Sequence, residues 1–114
     1  MTPRVSEKQE QASIVQLVET LGGKAYVLGT TRPAGDFRGT CQTPGLPDLY
    51  AFLPYQHAAS TSRASLWIEV KKVGGRRSKA QDEFKALCEA SDTRYLCGTC
   101  DDVIAWLKEA GWLK

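Results

Sequence analysis

Seven residues, Leu66-Trp67-Ile68-Glu69-Val70-Lys71-Lys72, constrain this chain more than any other stretch. They alternate like a strand with one buried side, because successive strand side chains point to opposite faces. Ile68 and Val70 share one face, which leaves Glu69 and Lys71 together on the other. Burying a carboxylate and an ammonium side by side is costly without partners. That face is therefore either open to solvent or built around something bound, and the rest of the chain has to decide which.

The chain has 114 residues with 42% apolar content, enough for one compact domain spanning 1–114 and too few for a second core. The net charge of +2 gives little reason by itself to expect a polyanionic partner. Its distribution is more informative. Lys71, Lys72, Arg76, Arg77 and Lys79 form a cationic run without an acid, and the chain from Asp82 onward is net acidic. Positive potential is thus expected beside Glu69 and Lys71.

No apolar run approaches the length needed to cross a bilayer, and no signal-peptide pattern opens the chain, so a cytoplasmic protein without a membrane partner is expected. Cys41, Cys88, Cys97 and Cys100 are then expected to be reduced. Cys97-x-x-Cys100 has the spacing of a zinc or redox pair. There is no second close pair, and His57 stands in a separate loop. The plainer reading is that these are small residues filling a strand and a helix start.

Taken in order, Ser6 with Gln9 is a capping box opening a first helix, on which Ile14, Leu17, Val18 and Leu21 form a core stripe. Gly22-Gly23 ends it. Lys24 to Thr30 reads as a first strand. Thr31 to Pro47 is a long Gly-, Pro- and Thr-rich loop carrying Arg32 and Arg38, and it leads into a second strand whose first residues include Asp48. Pro54 to Arg63 joins this to the third strand, Leu66 to Lys72, which is expected to return antiparallel. Ser78 with Gln81 opens a second helix with Ala80, Phe84, Leu87, Cys88 and Ser91 facing inward. Arg94 to Gly98 is a fourth strand, and Thr99 with Asp102 opens a last helix bearing Val103, Trp106, Leu107 and Ala110. The predicted class is α/β, in the order αβββαβα, with a mixed four-stranded sheet flanked by helices.

A hairpin of suitable register brings Asp48 next to Glu69 and Lys71. Two carboxylates with a main-chain carbonyl such as that of Val70 make an all-oxygen site, which favours Mg²⁺ or Mn²⁺ over softer metals. Such a site suits phosphodiester hydrolysis, with Lys71 orienting water or neutralising charge on phosphate. Lys72, Arg76, Arg77 and Lys79, with Arg32 and Arg38 from the first loop, would hold flanking phosphates. Each residue also has a plainer reading. Asp48 is an ordinary turn residue after Pro47, Gln81 is explained by its capping box, the cationic run by solvation, and an acid in the first turn of the first helix by the helix dipole.

The combination of Gly45-x-Pro47-Asp48-Leu49, Ile68-Glu69-Val70-Lys71, and a helix opened by Ser78 and Gln81 resembles the VRR-NUC branch of the PD-(D/E)XK nuclease superfamily. The resemblance covers nearly the whole chain, from Ser6-Glu7-x-x-x-Gln11 to the Asp101-Asp102-Val103 helix. It implies a restriction-endonuclease-like fold with Asp48 and Glu69 as ligands of Mg²⁺ or Mn²⁺, Lys71 as catalytic lysine and Gln81 as support. An acid from the first helix completes the site; Glu7 has the family's spacing, and Glu10 is its rival. The implied activity is a DNA endonuclease, a homodimer acting on branched DNA such as a Holliday junction, in a phage or bacterial setting. A flap or linear-duplex nuclease working with a partner and a catalytically idle DNA-binding module are the alternatives. The Pro54 to Arg63 loop is longer than the family's tight hairpin.

Overall fold

Capping chemistry fixes where each helix begins. A computed structural model of the chain describes residues 5–28, 44–54 and 65–113. Helix α1 spans Glu7–Thr20, α2 Lys79–Ala90 and α3 Cys100–Ala110, preceded by Ser6, Ser78 and Thr99 as N-caps. In each, the cap hydroxyl accepts the N–H of the third helical residue, and that residue's side chain accepts the cap N–H. Two otherwise orphaned donors are satisfied at every start. Gly111, at φ 97°, closes α3 in the left-handed conformation that glycine adopts without penalty.

The strands are β1 Lys24–Val27, β2 Leu49–Phe52, β3 Ser65–Val70 and β4 Tyr95–Gly98. They form one sheet in the order β1-β2-β3-β4, with the first two pairings antiparallel and β3–β4 parallel. The parallel pairing needs a crossover, which α2 supplies. The result is an α/β domain with three helices and a mixed four-stranded open sheet among the described residues. None of these helices is long and apolar enough to cross a membrane.

One sheet face is the core. Ala25, Leu49, Ala51, Leu66, Ile68 and Val70 pack there against Ile14 and Val18 of α1 and Val103 and Leu107 of α3. Each large side chain so buried contributes about 1.5–3 kcal/mol. Trp112 completes this layer, 5% exposed, with Nε1–H donating to the Pro54 carbonyl at 2.9 Å and its ring stacked on Trp106. The predicted stripes of α1 and α3 match the burial; Leu17, Leu21, Trp106 and Ala110 pack at the margin.

The opposite face is aromatic. Tyr26, Tyr50, Trp67 and Tyr95 are successive cross-strand partners, and Phe52 lies beside Tyr26 and Tyr50. Helix α2 rests on the β3–β4 half through Phe84, whose ring meets Trp67 and Tyr95. This corrects part of the predicted α2 stripe. Cys88 is buried, but Leu87 is 68% exposed because it lies on the flank of the Phe84–Cys88 ridge. Ser91 is also exposed and turns its hydroxyl back onto the Leu87 carbonyl at 2.8 Å. Several strand limits also differ: β1 ends at Val27, residues 29 and 30 of its predicted span lie outside the described residues, β3 begins at Ser65 and β4 begins at Tyr95. Asp48 sits in the bend one residue before β2, and β3 ends at Val70, although Lys71 N–H still bonds the Gly98 carbonyl at 2.8 Å.

Candidate active site

The β2–β3 register pairs Leu49 with Ile68, so the next pair outward along the antiparallel ladder is Asp48 and Glu69. The Asp48 carboxylate is fixed by the main chain: Oδ2 accepts the Val70 N–H at 2.9 Å, while the Asp48 carbonyl accepts Leu28 N–H at 2.8 Å. The turn before it depends on Gly45. At φ 85°, this residue lies so close to α2 that an added Cβ would stand 2.4 Å from the Ala80 carbonyl oxygen. Only glycine permits both that dihedral and that approach. The turn delivering Asp48 therefore packs on the first turn of the helix that delivers Gln81.

Glu69 is only 3% exposed. Its Oε2 accepts the Gln81 Nε2–H at 3.0 Å, while Oε1 is buried with no hydrogen-bond partner. Burial, then hydrogen bonding to Asp48 and the Asp48 charge, push its pKa up from 4.5 to about 8; Lys71 opposes the shift and Glu7 adds to it. A hydrogen bond between the two carboxyl groups exists only while one of them carries a proton. Once both are ionised, the pair has two adjacent charges and an unsatisfied buried oxygen, a costly arrangement without a cation.

Gln81 joins this pair to Lys71. Its Oε1 accepts from Lys71 Nζ at 3.0 Å and from Ser78 N–H at 2.8 Å, while Nε2 donates to Glu69. Two donors converge on one atom and a carboxylate faces the other, so the chemistry sets the amide orientation. The capping role and the bridging role are thus performed by the same side chain. Lys71 Nζ also donates to the Arg76 carbonyl at 2.8 Å, which ties the ammonium to the basic loop.

The two acids of α1 separate clearly. Glu10 is 8% exposed, and its Oε1 accepts the Cys100 N–H at 2.9 Å, capping α3 from a neighbouring helix. Glu7 is exposed and reaches toward the basic loop: its Oε2 lies 3.4 Å, and Lys71 Cδ 3.5 Å, from where a Cβ on Gly75 would stand. Glu7 is thus near Lys71 and acts electrostatically on Glu69, whereas Glu10 is committed to α3. Val70 is 1% exposed and offers the site only its main chain.

Lys72, Arg76 and Lys79 are exposed along the β3–α2 loop and the α2 start. Arg77 is held more firmly. Its Nη2–H donates to the Tyr95 hydroxyl at 3.2 Å, and its guanidinium lies over the Tyr95 ring. Arg77 Nε is 3.1 Å from Asp82 Oδ1, within ion-pair range but without hydrogen-bond alignment. A cleft of about 400 Å³ lined by Lys71, Lys72, Gly75, Arg77, Gly98 and Thr99 opens beside these cations. Arg32 and Arg38 lie outside the described residues.

Among the described residues, no group of three or more His, Cys, Asp or Glu side chains gathers to hold a metal ion. Cys97 and Cys100 are free thiols, and burial raises the pKa of both. The local donor set is the Asp48–Glu69 oxygen pair. Its orphaned buried oxygen and hard, anionic atoms fit Mg²⁺ or Mn²⁺ rather than a soft metal. The sequence pattern did not reveal the Val70 N–H clamp on Asp48 or the Glu10 cap on Cys100, since both join residues distant in the chain. No protein-family model, curated protein or solved structure matches this chain.

Proposed function

We propose that this protein is a Mg²⁺- or Mn²⁺-dependent DNA endonuclease. The observation that carries the reading is Glu69: a buried carboxylate with an unpartnered oxygen, next to Asp48 and linked through Gln81 to Lys71. Asp48 and Glu69 would hold the ion, with the Val70 main chain alongside. Such an ion, when bound, would supply a more acidic water and stabilise charge on the scissile phosphate. Asp48 stays oriented by the Val70 N–H, and Glu69 by the Gln81 amide. Lys71, anchored on Gln81 and the Arg76 carbonyl, holds a positive charge beside the reacting phosphate. Glu7, close to Lys71, is the helix-borne acid of the site. Lys72, Arg76 and Lys79 contact flanking phosphates, with Arg77 holding the α2 start in place.

The resemblance to VRR-NUC nucleases favours branched DNA as substrate and a homodimer, in which two copies double the DNA-contacting surface. The test is cleavage of a four-way junction, a flap and a linear duplex under Mg²⁺ or Mn²⁺, with Lys71→Ala as control. Cleavage lost in Lys71→Ala supports the assignment, and full activity of that variant refutes it. Equal cutting of linear duplex removes the junction preference. Binding without cutting of any substrate leaves an idle DNA-binding module. Light scattering decides the dimer.

A further inference from the structure

The aromatic face is larger than the core requires. Tyr26 and Phe52 are 52% and 45% exposed, although tyrosine and phenylalanine on a sheet normally bury against a covering layer. Their rings continue into Tyr50 and Trp67 by edge and tilted contacts, with centroids 6.1, 5.0 and 4.5 Å apart along the row. By strand alternation this is the face of Asp48 and Glu69, and the Tyr50–Trp67 pair is the neighbouring row. From Asp48 to Phe52 the strand covers about 13 Å.

Charge frames the row. Lys24 Nζ lies 5.7 Å from the Tyr26 ring centroid at the far end, where it is ion-paired with Glu19 at 3.3 Å, and Lys71 with the basic loop stands beyond the acid pair at the near end. Beside the rings, the Tyr50 hydroxyl donates to the Ser65 hydroxyl at 3.2 Å, and the cleft at these two residues is also lined by Asp92, Thr93 and Arg94. A row of exposed aromatic rings that runs to the acid pair, with the basic loop beyond it, suits a chain of bases on a phosphate backbone.

We propose that Tyr26, Phe52, Tyr50 and Trp67 form a stacking platform for the bases of an unpaired DNA strand leading to the Asp48–Glu69 pair. This rests on the nuclease reading and deepens it: the substrate is DNA with a single-stranded portion next to the scissile phosphate. Bases paired in a duplex are stacked on one another and cannot lie on these rings.

The test measures binding separately from cleavage. A labelled oligothymidine of about twelve nucleotides and an abasic strand of equal length are titrated with the full chain in metal-free, low-salt buffer, followed by anisotropy. The expected result is roughly tenfold tighter binding of the base-bearing strand. That preference disappears in Tyr26→Ala/Phe52→Ala and survives in Tyr26→Phe. Single Tyr26→Ala serves if the double variant is not folded by circular dichroism. Equal binding of both strands by the unaltered protein overturns the platform, even where duplex DNA is cut. Base-dependent binding without any cleavage keeps the platform and removes the nuclease reading. A dimer that the double variant converts to monomer, with strand binding unchanged, assigns the rings to a second copy and overturns the proposal.

Discussion

Gln81 Nε2 donates to Glu69 Oε2 across 3.0 Å, and the same amide accepts from Lys71 on its other side. Residues that orient a metal-holding carboxylate typically matter 10- to 100-fold. Gln81→Ala is therefore expected to lower cleavage by about that factor, while loss of its half of the α2 cap costs about 1 kcal/mol. Single-turnover rates on folded protein, measured beside thermal melts, check this. A stability loss with an unchanged rate would limit Gln81 to capping.

Asp48 and Glu69 face each other as like charges once Glu69, whose pKa is raised to about 8, loses its proton. Asp48→Asn keeps an acceptor for the Val70 N–H but removes one charge. At pH 8 without metal it is expected to be more stable than the unaltered chain, by on the order of 1 kcal/mol, and inactive in cleavage. Denaturant titrations and a cleavage assay would show both effects. A less stable variant would mean that the paired charges are not in conflict.

Stability should depend on pH in a defined direction. The Glu69 pKa is raised from 4.5 to about 8, so the folded chain holds this proton more tightly than the unfolded one. That stabilisation is complete below about 4.5 and is lost as pH rises through about 8. A divalent cation needs both carboxylates ionised, so Mg²⁺ or Mn²⁺ should raise the melting temperature more at pH 8 than at pH 5.5. Equal shifts at both pH values would place the ion elsewhere.

Glu7 and Glu10 should give opposite phenotypes. Glu7→Gln, on an exposed side chain, should change stability by no more than about 0.5 kcal/mol while reducing cleavage. Glu10→Ala removes the acceptor of the Cys100 N–H and should cost about 1–2 kcal/mol with normal cleavage per folded molecule. The reverse pattern would transfer the helix-borne acid to Glu10.

Gly45→Ala sets a Cβ against the Ala80 carbonyl oxygen in a left-handed backbone. It should destabilise the fold by roughly 2 kcal/mol or more and displace Asp48 from the Val70 N–H, lowering activity in the surviving folded fraction. Melting and cleavage together measure this. A neutral substitution would show that the turn and α2 can separate.

The starts of the helices were legible because they rest on local chemistry. Ser6 with Gln9, Ser78 with Gln81 and Thr99 with Asp102 are each read three residues apart, and each forms the reciprocal cap expected. Leu87 was misread because helical spacing identifies a ridge but not how much of it a sheet covers. The Glu-x-Lys alternation likewise put Glu69 and Lys71 on one face without indicating their neighbours.

The sequence alone determined element order, face alternation and the residues able to form an acidic site, since all of these follow from periods of 2 and 3.6 and from caps closed within one turn. Tertiary structure decided the rest. The β2–β3 register set Asp48 opposite Glu69, the approach of Gly45 to α2 brought Gln81 to Glu69, and the α1–α3 packing claimed Glu10 and left Glu7 near Lys71. These pairings join residues far apart in the chain, and only packing of the whole domain fixes which groups share a site.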